Sequence, residues 1–156
     1  MYEALRTSVG LGAIAGCCID LTGAVIEDKG ASALAASLGG CAGLEEIVVA
    51  DNFITEAGGA SLAQLANTAV RLDASNNELG CAGAGSFARH LDAPQLLHLS
   101  LRDNEISVDG AFSLARCLQK GAMPQLCSLN LRQNLLLDEG AAALCEALTG
   151  LETLQV

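Results

Sequence analysis

Residues Leu96 to Leu118 alternate apolar and polar for half their length and then place Leu at every fourth position, so they read as a short strand feeding a helix. The stretch runs Leu96-x-x-Leu99-x-Leu101-x-x-Asn104-x-Ile106, followed by Gly110, Leu114 and Leu118. The same lettering recurs along the chain. Its Asn falls at Asn52, Asn77, Asn104 and Asn134, and the strand positions become Leu44/Ile47/Val49, Ala69/Leu72/Ala74, Leu96/Leu99/Leu101 and Leu126/Leu129/Leu131. A Gly stands six residues beyond each Asn, at Gly58, Gly83, Gly110 and Gly140, with Leu62/Ala66, Phe87/Leu91, Leu114/Leu118 and Leu144/Leu148 following on the helix. A weaker first copy has Ile19/Leu21, Ala24 in place of Asn, Ile26, Gly30 and Leu34/Leu38.

Five copies spaced 28, 25, 27 and 30 residues apart are too small to bury their apolar faces singly, so neighbours must stack and share one core. Stacked strands need roughly 4.8 Å each. Helices need roughly 10 Å. A chain of strand-helix units therefore curves with its strands inside. Small residues at Ala31/Ala35, Ala84/Ala88, Ala111/Ala115 and Ala141/Cys145 fit as spacers between the crowded helices. The carboxamides of Asn52, Asn77, Asn104 and Asn134 can donate and accept at once, and so suit the sharp strand exits, where backbone groups turn inward. The following Gly is expected to supply either a special backbone conformation or a close approach. Asp28, Asp109 and Glu139 fit helix N-termini.

With this period and lettering, the sequence resembles the ribonuclease-inhibitor-like class of leucine-rich repeats over nearly all of residues 16 to 156. The resemblance implies an α/β solenoid, a horseshoe arc with parallel strands on the concave side and helices on the convex side. One domain spans 1–156. A partial helical repeat covers 1–16, five repeats cover 17–150, and 151–156 starts a sixth strand that stops before its Asn. By the same resemblance the chain is a non-catalytic protein-interaction module or scaffold, recognising a protein partner on its concave face without a cofactor. Relatives include ribonuclease inhibitor, the sensing arrays of NOD-like receptors, tropomodulin-like actin-filament caps and repeat proteins of cilia.

Two alternatives stand beside that reading. Ser75-Asn76-Asn77-Glu78-Leu79-Gly80-x-x-Gly83 is similar to the stretch by which Ran GTPase-activating proteins present an asparagine to the nucleotide, which would make Asn76 the functional residue of a GTPase regulator. The apolar ends suggest instead an architectural subunit of a large assembly, or part of a longer protein.

Charge narrows the partner. The net −10, from 18 acids against 8 bases, and 3% aromatics leave no basic stripe or stacking platform for nucleic acid, and an anionic membrane would repel the chain. No apolar run approaches the ~20 residues needed to cross a bilayer. Seven cysteines, an odd number without a Cys-x-x-Cys pair, fit reduced thiols in the cytoplasm, with Cys117 and Cys145 at core or spacer positions. Gly10-Leu-Gly12-Ala-Ile-Ala-Gly16 misses the nucleotide-loop spacing. No Gly-x-Ser-x-Gly, Walker loop, His-Glu-x-x-His or paired metal-ligand motif occurs, so the chain reads as neither an enzyme nor a metal protein.

Residues alternating with the leucines face away from the core. From these come the expected partner-binding residues Glu46, Arg71, Asp73, His98, Arg102, Asn130 and Arg132. His90, on a helix, reads as solvated surface. Arg102 and Arg132 share a register on adjacent strands, where stacked like charges are unfavourable. Either Asp73, Asp103 or solvent relieves them, or they await an acidic partner.

Overall fold

The Asn turns set where each repeat begins. In the computed structural model, which describes residues 16–39, 41 and 44–149, each such turn ends a strand of three to five residues. In chain order these are β1 (Cys17–Asp20), α1 (Asp28–Leu38), β2 (Leu44–Val48), a 3₁₀ turn (Glu56–Gly58) running into α2 (Gly59–Ala66), β3 (Ala69–Asp73), α3 (Gly80–His90), β4 (His98–Ser100), α4 (Val108–Gln119), β5 (Ser128–Asn130) and α5 (Leu137–Leu148). The strands form one parallel sheet in the order β1-β2-β3-β4-β5. Each helix packs against the next. Ile19, Ile47, Leu72, Leu99 and Leu129 are register partners from strand to strand, so one apolar row crosses the whole sheet.

That row meets the helical leucines in a single core. Leu34, Leu62, Phe87, Leu114 and Leu144 are all at most 5% exposed, and burying each such side chain contributes roughly 1.5–3 kcal/mol. Ala31, Ala35, Ala84, Ala111 and Ala115 are buried between helices, as spacers should be. Ala141 and Cys145 are not. Both are exposed, because no further described helix covers the outer side of α5. Residues 1–15 of the partial helical repeat expected at 1–16, and the sixth strand expected at 151–156, lie outside the described residues.

Asn52 accepts from the Ile26 N–H at 2.8 Å and donates to the carbonyls of Leu21, Val49 and Ala50 at 2.9 to 3.0 Å. Asn77 does the same with the Ile54 N–H (3.0 Å) and the Val49, Ala74 and Ser75 carbonyls (each 3.1 Å). Asn134 accepts from Asn104 and Ile106 N–H groups and donates to the Leu101, Leu131 and Arg132 carbonyls. Each of these side chains therefore satisfies its own turn and the preceding repeat's at once. Asn104 departs from the pattern. Its amide donates to the Ala74 and Arg102 carbonyls, but its buried Oδ1 has no hydrogen-bond partner among the described residues.

Of the two roles expected for the Gly six residues on, close approach holds and special conformation does not. None of Gly58, Gly83, Gly110 or Gly140 has positive φ. A Cβ at Gly58 would lie 2.3 Å from Ile54 Cγ2, at Gly110 2.6 Å from Ile106 Cγ2, and at Gly83 3.0 Å from the Glu56 Cα. The left-handed position is instead the residue before the Asn: Gly23, Asp51, Asn76, Asp103 and Gln133 have φ of 63°, 54°, 51°, 53° and 57°. Gly, Asn and Asp tolerate that region best.

Acids occupy the first turns of α1, α4 and α5, where Asp28, Asp109 and the pair Asp138 and Glu139 face the positive helix ends. Asp28 also ties two repeats together, accepting from the Thr55 N–H at 2.8 Å and its hydroxyl at 2.7 Å.

Candidate functional site

The sheet face turned away from the helices presents side chains in rows. Nearest the strand starts, Cys18, Glu46, Arg71, His98 and Ser128 are register partners. The next row holds Asp20, Val48, Asp73, Ser100 and Asn130. Past the strand ends the ladder continues through Leu101 N–H to the Asn130 carbonyl and Asp103 N–H to the Arg132 carbonyl, both 2.9 Å, which keeps Arg102 and Arg132 adjacent. Glu46, Asp73, His98 and Asn130 are half-buried, while Arg71, Arg102 and Arg132 are exposed. All seven expected residues thus lie on one face.

A continuous hydrogen-bonded path crosses this face. The Asn130 amide donates to Ser100 Oγ at 3.2 Å, Ser100 and Ser75 hydroxyls lie 2.8 Å apart, and Ser75 Oγ meets Asp73 Oδ1 at 2.5 Å. With Asp73 accepting from Ser75, the donors run one way, from Asn130 through Ser100 and Ser75 to the carboxylate. Alternation puts Ser75 and Ser100 on this face, but a hydrogen-bonded path across three strands leaves no local signal in the sequence. Nor does Asp73 relieve the arginines: Arg102 Nε donates to the Gln133 side-chain oxygen instead.

His90 is exposed on α3, its Nδ1 2.8 Å from the Ser86 carbonyl. Asn76 is exposed in its left-handed turn and donates to Asp51 Oδ1 at 2.5 Å. Among the described residues no group of three or more His, Cys, Asp or Glu could hold a metal ion.

All seven cysteines are free thiols. The Ser107 hydroxyl, 2.7 Å from Cys81 Sγ, holds the Cys81 thiol below its usual range, whereas burial pushes the Cys117 thiol up. Desolvation and the Glu46 carboxylate raise Cys18. Since the thiolate is the nucleophile, iodoacetamide near neutral pH is expected to label Cys81 well before Cys117 and ahead of exposed Cys18. Peptide mass spectrometry over a time course checks this, and Cys18 labelling first would contradict it.

A leucine-rich repeat family model matches residues 18–35 and 94–115. No curated protein matches the sequence. Among solved structures, leiomodin-1 actin-binding site 2 is similar with a TM-score of 0.70 at 14% identity, over 85% of this chain and 78% of that one. The tropomodulin C-terminal domain of Caenorhabditis elegans is similar with a TM-score of 0.67 at 15% identity, over 95% of this chain and 89% of that one. At such identities the likeness is one of fold.

Proposed function

We propose that this chain, a leucine-rich repeat protein, is a non-catalytic module of the ribonuclease-inhibitor-like kind that binds a protein partner on the strand face, in the cytoplasm and without a cofactor. The observation that carries this reading is the Asn130–Ser100–Ser75–Asp73 path beside exposed Arg102 and Arg132. The path ends with Ser75 on a carboxylate, with no imidazole or amine base in it, and it forms a pre-ordered polar platform whose groups lose little side-chain freedom on binding. The two guanidinium groups, neighbours in register, suit a partner carboxylate or phosphate cluster. Acids farther than roughly 8 Å are screened at physiological salt, which leaves the pair and its near neighbours Asp73 and Asp103 to set the local potential. Glu46, Arg71 and His98 extend the platform toward the strand starts.

Affinity capture from cell extract, with purified actin filaments as the first defined partner because the leiomodin-1 relative is an actin-binding site, tests this directly. Arg102→Glu with Arg132→Glu is expected to weaken the captured partner by more than tenfold, roughly 1.4 kcal/mol, with an unchanged thermal melt. Equal binding by parent and double variant would remove the strand face as the site.

A further inference from the structure

Four of the five large apolar side chains exposed among the described residues lie on one edge of the solenoid, where the strands hand over to the helices. Val25 and Phe53 are 68% and 53% exposed in the first two repeats, and Leu135 and Leu137 are 62% and 68% exposed in the fifth. Val25, Phe53 and Leu135 each follow the Asn position of their repeat, and the corresponding residues between them are exposed Glu78 and Glu105. Backbone bonds from Phe53 to Ile26, Glu78 to Ile54, Gly80 to Asn104 and Leu135 to Ile106, at 2.8 to 3.0 Å, tie the successive turns into one rim.

Two of the apolar residues are held against their own preference. Val25 has φ 57° and Leu137 φ 51°, a region that disfavours β-branched and bulky side chains. At the position matching Leu137, the third repeat has Gly80 with φ 56°, so the turn can be made without a side chain. Strained residues that persist tend to mark functional surfaces.

The charge of the chain is concentrated on the same rim. Leaving aside the strand-face residues Asp20, Asp73, Arg102 and Arg132, the strand-to-helix segments 20–29, 49–59, 73–80, 101–110 and 131–140 hold ten acids and one base, net −9. Nucleic acid and anionic membranes carry the wrong sign for such an edge.

We infer that this rim is a second docking surface, distinct from the strand face, and that it takes a cationic segment of another protein with apolar side chains at both ends and basic ones between. Phe53 and Leu135 stand three repeats apart, roughly 15 Å at strand spacing, about the length of ten residues of α-helix. The apolar ends seat on Val25/Phe53 and on Leu135/Leu137, and the intervening bases meet Glu78 and Glu105.

A fluorescein-labelled amphipathic Lys/Leu peptide, with a Glu/Leu peptide as its opposite-charge control, tests the assignment by anisotropy titration on the full chain. Phe53→Ser with Leu137→Gly is expected to weaken the Lys/Leu peptide by more than tenfold while the denaturation midpoint holds or rises, because Gly relieves the left-handed Leu. Glu78→Gln with Glu105→Gln is expected to weaken it similarly and to flatten its salt dependence. Phe112→Ser, which removes the exposed apolar residue on the helical side, leaves affinity unchanged, and so does the charge-neutral His98→Gln at the strand starts, which separates this surface from the strand face. The inference is overturned if the Phe53/Leu137 variant binds like the parent, if Phe112→Ser loses as much, or if the Glu/Leu peptide binds equally well.

Discussion

Asn77→Ala is expected to lower the unfolding free energy by about 3 kcal/mol, read from chemical denaturation midpoints against the exposed control Gln119→Ala. The substitution orphans the buried Ile54 N–H, whose acceptor is Asn77 Oδ1, and an unpaired buried donor costs roughly 1–3 kcal/mol. Three carbonyls lose a bond as well, but each keeps another donor: Val49 that of Asn52, Ala74 that of Asn104, and Ser75 the Asp51 N–H. Those losses add roughly 0.5–1 kcal/mol apiece at most. Asn104→Ala is expected to cost clearly less, about 1 kcal/mol. It removes two bonds to carbonyls that stay satisfied, together with an Oδ1 that has no partner among the described residues. Equal midpoints for the two variants would contradict this account of the turns.

That contrast separates what the repeat pattern reveals from what it hides. Period and alternation place the leucines at repeat positions, because burial there depends on which way a side chain points, and Leu62, Leu99 and Leu114 lie where the spacing puts them, whereas Leu135 and Leu137, off the pattern, are exposed. The seven strand-face residues follow from the same alternation. Side-chain partners across repeats do not, since they depend on groups 25 to 31 residues away: Asn76 on Asp51, Ser75 on Ser100, Arg102 on Gln133. The left-handed row had a signal in Gly23, Asp51, Asn76 and Asp103, but Gln133 breaks the pattern by composition while keeping the backbone. Ala141 and Cys145 obey the spacer pattern yet stay exposed, because a repeat specifies a face and not what covers it.

Gly59→Ala and Gly85→Ala are expected to change stability in opposite directions, although both replace a buried helical glycine. In a helix interior Ala is favoured over Gly by roughly 0.5–1 kcal/mol, so a gain is the default. At Gly85 nothing opposes it: the added Cβ meets Arg89 Nη1 at 3.5 Å and Ser113 Oγ at 3.7 Å, which are ordinary contacts. At Gly59 the Cβ would lie 2.4 Å from the Gly83 carbonyl oxygen and 3.1 Å from its C and Cα. These are backbone atoms with no rotamer to change, so α2 and α3 must separate. Overpacking of this kind costs roughly 1–3 kcal/mol and occasionally more, which outweighs the helical gain and leaves Gly59→Ala less stable by about 2 kcal/mol. Prying these helices apart also shifts β2 against β3, the strands that hold Glu46, Arg71 and Asp73, so Gly59→Ala is expected to weaken strand-face binding while Gly85→Ala does not. Thermal and urea unfolding followed by circular dichroism reads the signs, and stabilisation by both variants would mean that α2 and α3 do not pack backbone to backbone.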